Sequence, residues 1–173
     1  MIAVAGLACL AAAALLVLER SRSASPTGLV AVDHVADGDT IVVEGDVRVR
    51  LVQIDTPEVY GEPECFGEQA SAETKRLLPA GTKVRLVRDP ATDDVDAFGR
   101  LLRYVVRADG LEVNLRLVAD GAAAPYFFDG VRGAHATALL QAAVKARSAG
   151  KGLWGACPNT PLAPERGVAT GPA

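Results

Sequence analysis

The stretch DGDTIVVEGDVRVRLVQIDTPE, residues 37–58, decides how this chain folds. Within it, DTIVVEG and VRVRLVQI read as two short strands rich in Val and Ile, joined by a turn at Glu44-Gly45-Asp46. In the second strand Val47, Val49 and Leu51 alternate with Arg48 and Arg50, so one face is apolar and the other carries guanidinium groups. Strands paired through a tight turn run antiparallel, which returns Asp37–Asp39 to the neighbourhood of Ile54 and Asp55. Polar, mostly acidic residues therefore gather at the open end of the hairpin.

Working outward, LVAVDHV (29–35) reads as a preceding strand, and TKVRLVRD (82–89) and RLLRYVVRA (100–108) as two later ones. EVYGEPECFG is a loop by its Gly and Pro content, and GEQASAETKRLL is a helix stopped by Pro79 and Gly81. PATDDVDAFG is a polar loop, while LEVNLRLVADG and GAHATALLQAAVKARSAG have helical apolar spacing and end at Gly121 and Gly150. The pattern predicts a mainly β domain with α (α+β): a five-stranded, partly open barrel of the OB type with about three helices. Trp154 is expected to plug the core at the end of the last helix.

A length of 173 residues suits one domain, and 50% apolar with 23% charged residues permits a packed core. Residues 1–18 carry no charged side chain and would span about 27 Å as an N-terminal hydrophobic helix. Residues 1–22 thus read as a signal peptide or a membrane anchor, and both remain open. Arg20 and Arg22 on the far flank would by themselves favour a cytoplasmic domain. Cys65 and Cys157 argue the other way: the only two cysteines outside the leader suggest one disulfide in an exported domain, secreted or tethered by residues 1–18. Two unrelated buried thiols are the alternative. Residues 158–173, with four prolines and two glycines, are expected to be disordered.

Between Leu29 and Cys157 there are 15 Lys plus Arg against 19 Asp plus Glu. That balance of −4 excludes a bulk cationic field for nucleic acid, so a polyanion must be held by local Arg groups or a metal. Asp37, Asp39, Asp55 and Glu58 at one hairpin end would repel one another without a cation, and hard divalent ions take such oxygen ligands. Each motif alone also has a plainer reading, Asp-Gly-Asp as a turn and Asp-Thr-Pro as a cap. Arg50, on the polar face of the hairpin, and Arg100, opening the last strand, supply forks that match phosphate oxygens. His34 and His135 form no catalytic constellation and read as surface or capping residues.

The runs DGDTI, VRLVQIDTPE, GEQASAETK, DAFGRLLRYV, EVNLRLVADGAA and GKGLW, in that order over residues 29–157, resemble the staphylococcal nuclease (thermonuclease) family. The resemblance implies an OB barrel with three helices, calcium (Ca2+) as cofactor, and phosphodiester hydrolysis of DNA and RNA. Asp39 and Asp55 resemble the calcium carboxylates, Thr56 offers its backbone carbonyl, and Asp37 is similar to an outer-shell carboxylate. Glu58 resembles the general base, and Arg50 and Arg100 the phosphate-binding arginines. In PYFFDG, Tyr126 and Phe127 are expected to stack on bases, although one of Phe127 and Phe128 is as readily a core residue. The resemblance also has gaps: Glu62, Glu64 and Glu68 fill a loop that is lysine-rich in the archetype. Ala97 stands where a lysine is expected, and Asp129 where a second tyrosine is expected. The expected protein is a monomeric nuclease preferring single-stranded or frayed substrate. The alternative is a catalytically inactive nucleic-acid-binding or protein-binding OB module at the cell surface.

Overall fold

The structure is a computed structural model that describes residues 28–173. The apolar leader, with the signal or anchor expected of residues 1–22, lies outside the described residues. Strands β1 (Val30–Val35), β2 (Thr40–Val43), β3 (Val47–Leu51), β5 (Lys83–Val87) and β6 (Leu101–Arg107) form a closed barrel in the order β1-β2-β3-β6-β5. All contacts in it are antiparallel except β3 with β6, which run parallel. Helices α1 (Gly67–Leu77), α2 (Val113–Ala119) and α3 (Ala136–Ser148) cover it, followed by the single turn α4 (Leu153–Ala156). The expected five-stranded OB-type barrel with three helices is what the chain builds, closed rather than partly open.

The alternation read from β3 is realised. Val49 and Leu51 have no solvent exposure and face Ile41, Val84 and Val105 inside the barrel, while Arg48 and Arg50 point away. Helices α2 and α3 close the barrel with Val113, Leu117, Leu139 and Ala143, all fully buried. Each such Leu contributes roughly 1.5–3 kcal/mol by leaving water. Where β3 and the parallel β6 diverge, the Asn114 side chain bridges them, donating to Val52 O at 2.9 Å and accepting from the Val105 N–H at 2.9 Å.

Three details differ from the sequence expectation. VRVRLVQI is not one strand: Gln53 takes a left-handed φ of 64°, and the chain turns there. Ile54–Asp55 then forms a separate strand β4, paired with β7 (Ala124–Pro125), which moves Asp55 off the barrel wall. At the end of the fold Leu153, fully buried, is the plug, while Trp154 is half-buried under the Arg147 guanidinium at 6.0 Å. Finally, residues 158–173, expected to be disordered, lie against the domain in the described structure. Their Pro and Gly content forbids a core of their own, but backbone bonds to existing edges, such as Phe127 N–H to Pro164 O at 2.7 Å, hold them in place. Val168 is also buried against Cys157 and Leu153.

Two polar anchors fix the loop between β5 and β6. Arg103, with no exposed side-chain surface, pairs with Asp94 at 2.8 Å and also donates to Asp94 O and Leu102 O. Asp89, 1% exposed, accepts from Ala91 N–H, Ala134 N–H and Tyr104 OH at 2.9, 2.7 and 2.9 Å. Burial alone would raise the Asp89 carboxyl, but these donors outweigh it and hold it below the ordinary 3.8.

Asp89→Asn should lower stability by about 1–3 kcal/mol at neutral pH, since it leaves buried donors poorly matched. Because the folded carboxyl sits below its unfolded value, the native Asp89 advantage is present above pH 3.8 and shrinks as pH falls below it. Urea melts at pH 7 and pH 3 test this; an equal gap at both would contradict it. The Cys65–Cys157 disulfide spans 92 residues, and reducing it should cost about 2–5 kcal/mol. Peptide mass spectrometry without reductant should find the two cysteines joined.

Candidate functional site

The hairpin register pairs Thr40 with Arg50, which sets the Arg50 side chain beside the end of β2 where Asp39 stands. The loop Asp37-Gly38-Asp39 then meets the loop after β4 directly. A Cβ on Gly38 would lie 2.3 Å from Thr56 Oγ1, so only glycine lets the two segments close. Thr74 of α1 fixes the same loop from behind, donating to Gly38 O at 2.5 Å. The Asp39 carboxylate accepts from Thr56 N–H at 3.1 Å and from Thr56 Oγ1 at 3.2 Å.

Arg50 joins the acidic segments. One guanidinium nitrogen lies 2.7 Å from Asp55 Oδ1 and 3.0 Å from Asp39 Oδ2, and the other donates to Leu51 O and Ile54 O at 2.9 and 2.8 Å. Burial disfavours its charge, but Asp39, Asp55, Asp37 and Glu58 outweigh that and hold its pKa above the ordinary value. Asp39 is pushed up to about 7, chiefly by burial; Arg50 opposes this, and the neighbouring Asp37 and Asp55 charges add to it. Glu58 is also raised, first by burial and then by Asp55, Asp37 and Glu64. Asp37 accepts the Asp39 N–H at 3.1 Å, so it serves the turn while its charge still reaches Asp39 and Glu58.

Whether these groups suit a divalent cation follows from their chemistry. Two carboxylates that one guanidinium does not fully neutralise, beside the Thr56 peptide carbonyl, are the oxygen donors a hard ion takes. Asp39 and Asp55 would hold it with Thr56, and Asp37 would stand outside. Among the described residues, no three His, Cys, Asp or Glu side chains form a ready-made metal cluster. The remaining ligands would have to be water or substrate.

Beside this acidic corner lies an open groove of about 520 Å³, lined by Arg50, Arg100, Phe98, Tyr126, Phe128 and Asp129 among others. Arg100 reaches it from the head of β6: its Nε pairs with Asp96 at 2.7 Å, and Nη1 lies 3.3 Å from Thr40 Oγ1, next to Asp39. The structure thus brings Asp37, Asp39, Arg50, Asp55, Thr56, Glu58 and Arg100 to one end of the barrel, as expected. Tyr126 joins them. Phe127 does not: it is fully buried under Arg132, so it has no face for a base, and Phe128, 64% exposed, takes the groove position. The tight turn at Asp129, with a φ of 51°, is what turns Phe128 outward.

Sequence reasoning passed over Phe98, which is 80% exposed and 5.4 Å from the Arg100 guanidinium. Its signal was there, a large aromatic inside an otherwise polar loop and two residues before Arg100. Glu64, whose Oε2 accepts the Glu58 N–H at 3.0 Å, was seen only as a lost lysine. Cys65 and Cys157 pair as expected and staple this loop to the end of α4.

Residues 48–156 match the family model described as staphylococcal nuclease homologue. Endonuclease YhcR of Bacillus subtilis (strain 168) is 36% identical over 136 residues, 71% of this chain and 11% of that protein. Thermonuclease of Staphylococcus intermedius is 38% identical over 104 residues, 56% of this chain and 59% of that protein. Succinoglycan biosynthesis protein ExoI of Rhizobium meliloti (strain 1021) is 32% identical over 154 residues, 84% of this chain and 74% of that protein. The chain thus spans only 11% of the Bacillus protein's length and 59% of the Staphylococcus protein's. With more than half of its residues matching the family model, including the second arm of the hairpin and the acidic loop after it, the chain belongs to the staphylococcal nuclease homologue family.

Proposed function

We propose that this chain is a calcium-dependent nuclease that hydrolyses phosphodiester bonds of DNA and RNA. The observation that carries the reading is the placement of Arg50. Its guanidinium touches both candidate calcium carboxylates, and its side chain lines the groove that holds Arg100 and the exposed aromatics. Two guanidinium forks facing one open groove suit the non-bridging oxygens of a phosphodiester. Calcium, when bound, adds positive charge against that phosphate. Glu58, its carboxyl held above the ordinary range, takes a proton from water as the new P–O bond forms and the old one breaks.

Substrate preference follows from the groove's shape. Phe98, Tyr126 and Phe128 offer ring faces only to bases that have left a duplex stack, which favours single-stranded or frayed substrate. Tyr126 and Phe128 meet edge to face with centroids 6.3 Å apart, so a base would be gripped by one ring at a time. The cystine supports an oxidising compartment, secreted or membrane-tethered through residues 1–18. A monomer suffices for this chemistry. The competing reading, an inactive nucleic-acid- or protein-binding module, is separated by cleavage itself.

Labelled single-stranded DNA incubated with calcium should be cut by the wild type and left intact in chelator. Glu58→Gln and Arg100→Ala should each lower kcat by about 10² to 10³, with thermal unfolding little changed. Metal-independent binding without cleavage would instead select the inactive module. Phe98→Ala should raise KM for single strands by about 5- to 150-fold, the equivalent of one stacked base at roughly 1–3 kcal/mol, leaving kcat nearly unaltered. Steady-state kinetics on a short oligonucleotide separates the two constants.

A further inference from the structure

Residues 158–173 leave the cystine at Cys157 and come back to it. Along the way Pro164 O accepts the Phe127 N–H, and the Val168 N–H donates to Asp55 Oδ2 at 2.9 Å. The segment then reaches Cys65: Thr170 Oγ1 donates to Cys65 O at 2.7 Å, and Gly171 O accepts the Cys65 N–H at 2.9 Å. It ends in a bridge of Pro172 to Glu64 and in the Ala173 N–H donating to Pro63 O at 3.0 Å. Gly167 is suited to the contact with Asp55. Its φ is +75°, and a Cβ there would fall 2.6 Å from Asp55 Oδ2.

The residues it touches are the ones that hold the reaction site. Asp55 has its Oδ1 on Arg50 and its Oδ2 on Val168, so the plane of the carboxylate is set from both sides. Glu58 is clamped by the loop that the segment borders, since Glu64 accepts its N–H at 3.0 Å and donates to its carbonyl at 2.9 Å. We propose that residues 164–173 are a positioning strap for the phosphodiester-cleaving site, seating Asp55 through the Val168 N–H and Glu58 through the Pro63–Cys65 loop. The inference rests on the nuclease reading. Val168 and Glu64 are positioning residues, acting only through Asp55 and Glu58. Partners of this kind are commonly worth 10- to 100-fold in metal affinity or activity.

Two variants test it: a chain lacking residues 161–173, and Gly167→Ala in the full chain, whose new methyl drives the strap off Asp55. Three readouts are compared with the wild type. Amide hydrogen exchange without metal should quicken at residues 54–58 in both variants while the barrel strands keep their protection. Calcium affinity by titration calorimetry should weaken by about 10- to 100-fold, and kcat should fall by a similar factor with KM little changed. If the shortened chain fails to fold, Gly167→Ala decides alone. Unchanged exchange and calcium affinity, or a rise in kcat when the strap is removed, would overturn the proposal. If the wild type itself cuts nothing with calcium yet exchange quickens as described, the seating of Asp55 stands and the nuclease reading falls.

Discussion

One guanidinium, that of Arg50, lets two acidic segments from different parts of the chain lie against each other at the end of the barrel. Asp39 and Asp55 are largely withdrawn from solvent, and Asp37 and Glu58 add negative charge nearby. Without a buried cation between them, the desolvation and mutual repulsion of these carboxylates would drive the hairpin end apart. The arrangement is therefore an expensive one for stability. Packed apolar groups at the mouth of the groove would cost less. Three features at this end serve it: the 40/50 register that delivers Arg50, the glycine that lets Thr56 close on Asp39, and the turn at Gln53 that carries Asp55 onto β4.

The groove beside this corner is built on opposite terms. The acidic corner is tied down by hydrogen bonds, whereas the rings of Phe98 and Phe128 are exposed and meet Arg100 and Tyr126. The loop carrying Phe98 is tied to the barrel at its start, where Asp89 accepts from Tyr104, and at its middle, where Asp94 pairs with Arg103. Glu58, on the acidic loop with Glu62 and Glu64, lies close enough to act on the Arg50 charge. Overall negative charge leaves attraction of a polyanion to Arg50, Arg100 and any bound cation.

Much of this was legible in the sequence because it depends on short-range pattern. The alternation Val47, Val49, Leu51 against Arg48, Arg50 dictated one wall of the barrel and the side on which Arg50 emerges. The turn at Glu44-Gly45-Asp46 then dictated that Asp39 and Asp55 meet. What escaped was tertiary. Phe127 and Phe128 are identical in type, and only the tight turn at Asp129 decides which is buried. The placement of residues 158–173 against the domain has no signal in the sequence for a similar reason: their composition says that they cannot build a core, and says nothing about borrowing one. The hydrogen bond of Val168 to Asp55 leaves no trace in the residue types, since a backbone N–H is present at nearly every position.

The parallel contact of β3 with β6 has a consequence for the order in which the site comes into being. Asp39, Arg50 and Asp55 belong to one hairpin and its immediate continuation, whose pairing closes only a small loop. Arg100 joins them only when β6 docks beside β3, a pairing such as Val49 with Leu101 that must first close the whole intervening chain. Long loops close at a higher entropic cost and later in folding. Of the groups at this end, Arg100 is thus the one whose placement waits on the longest-range strand pairing.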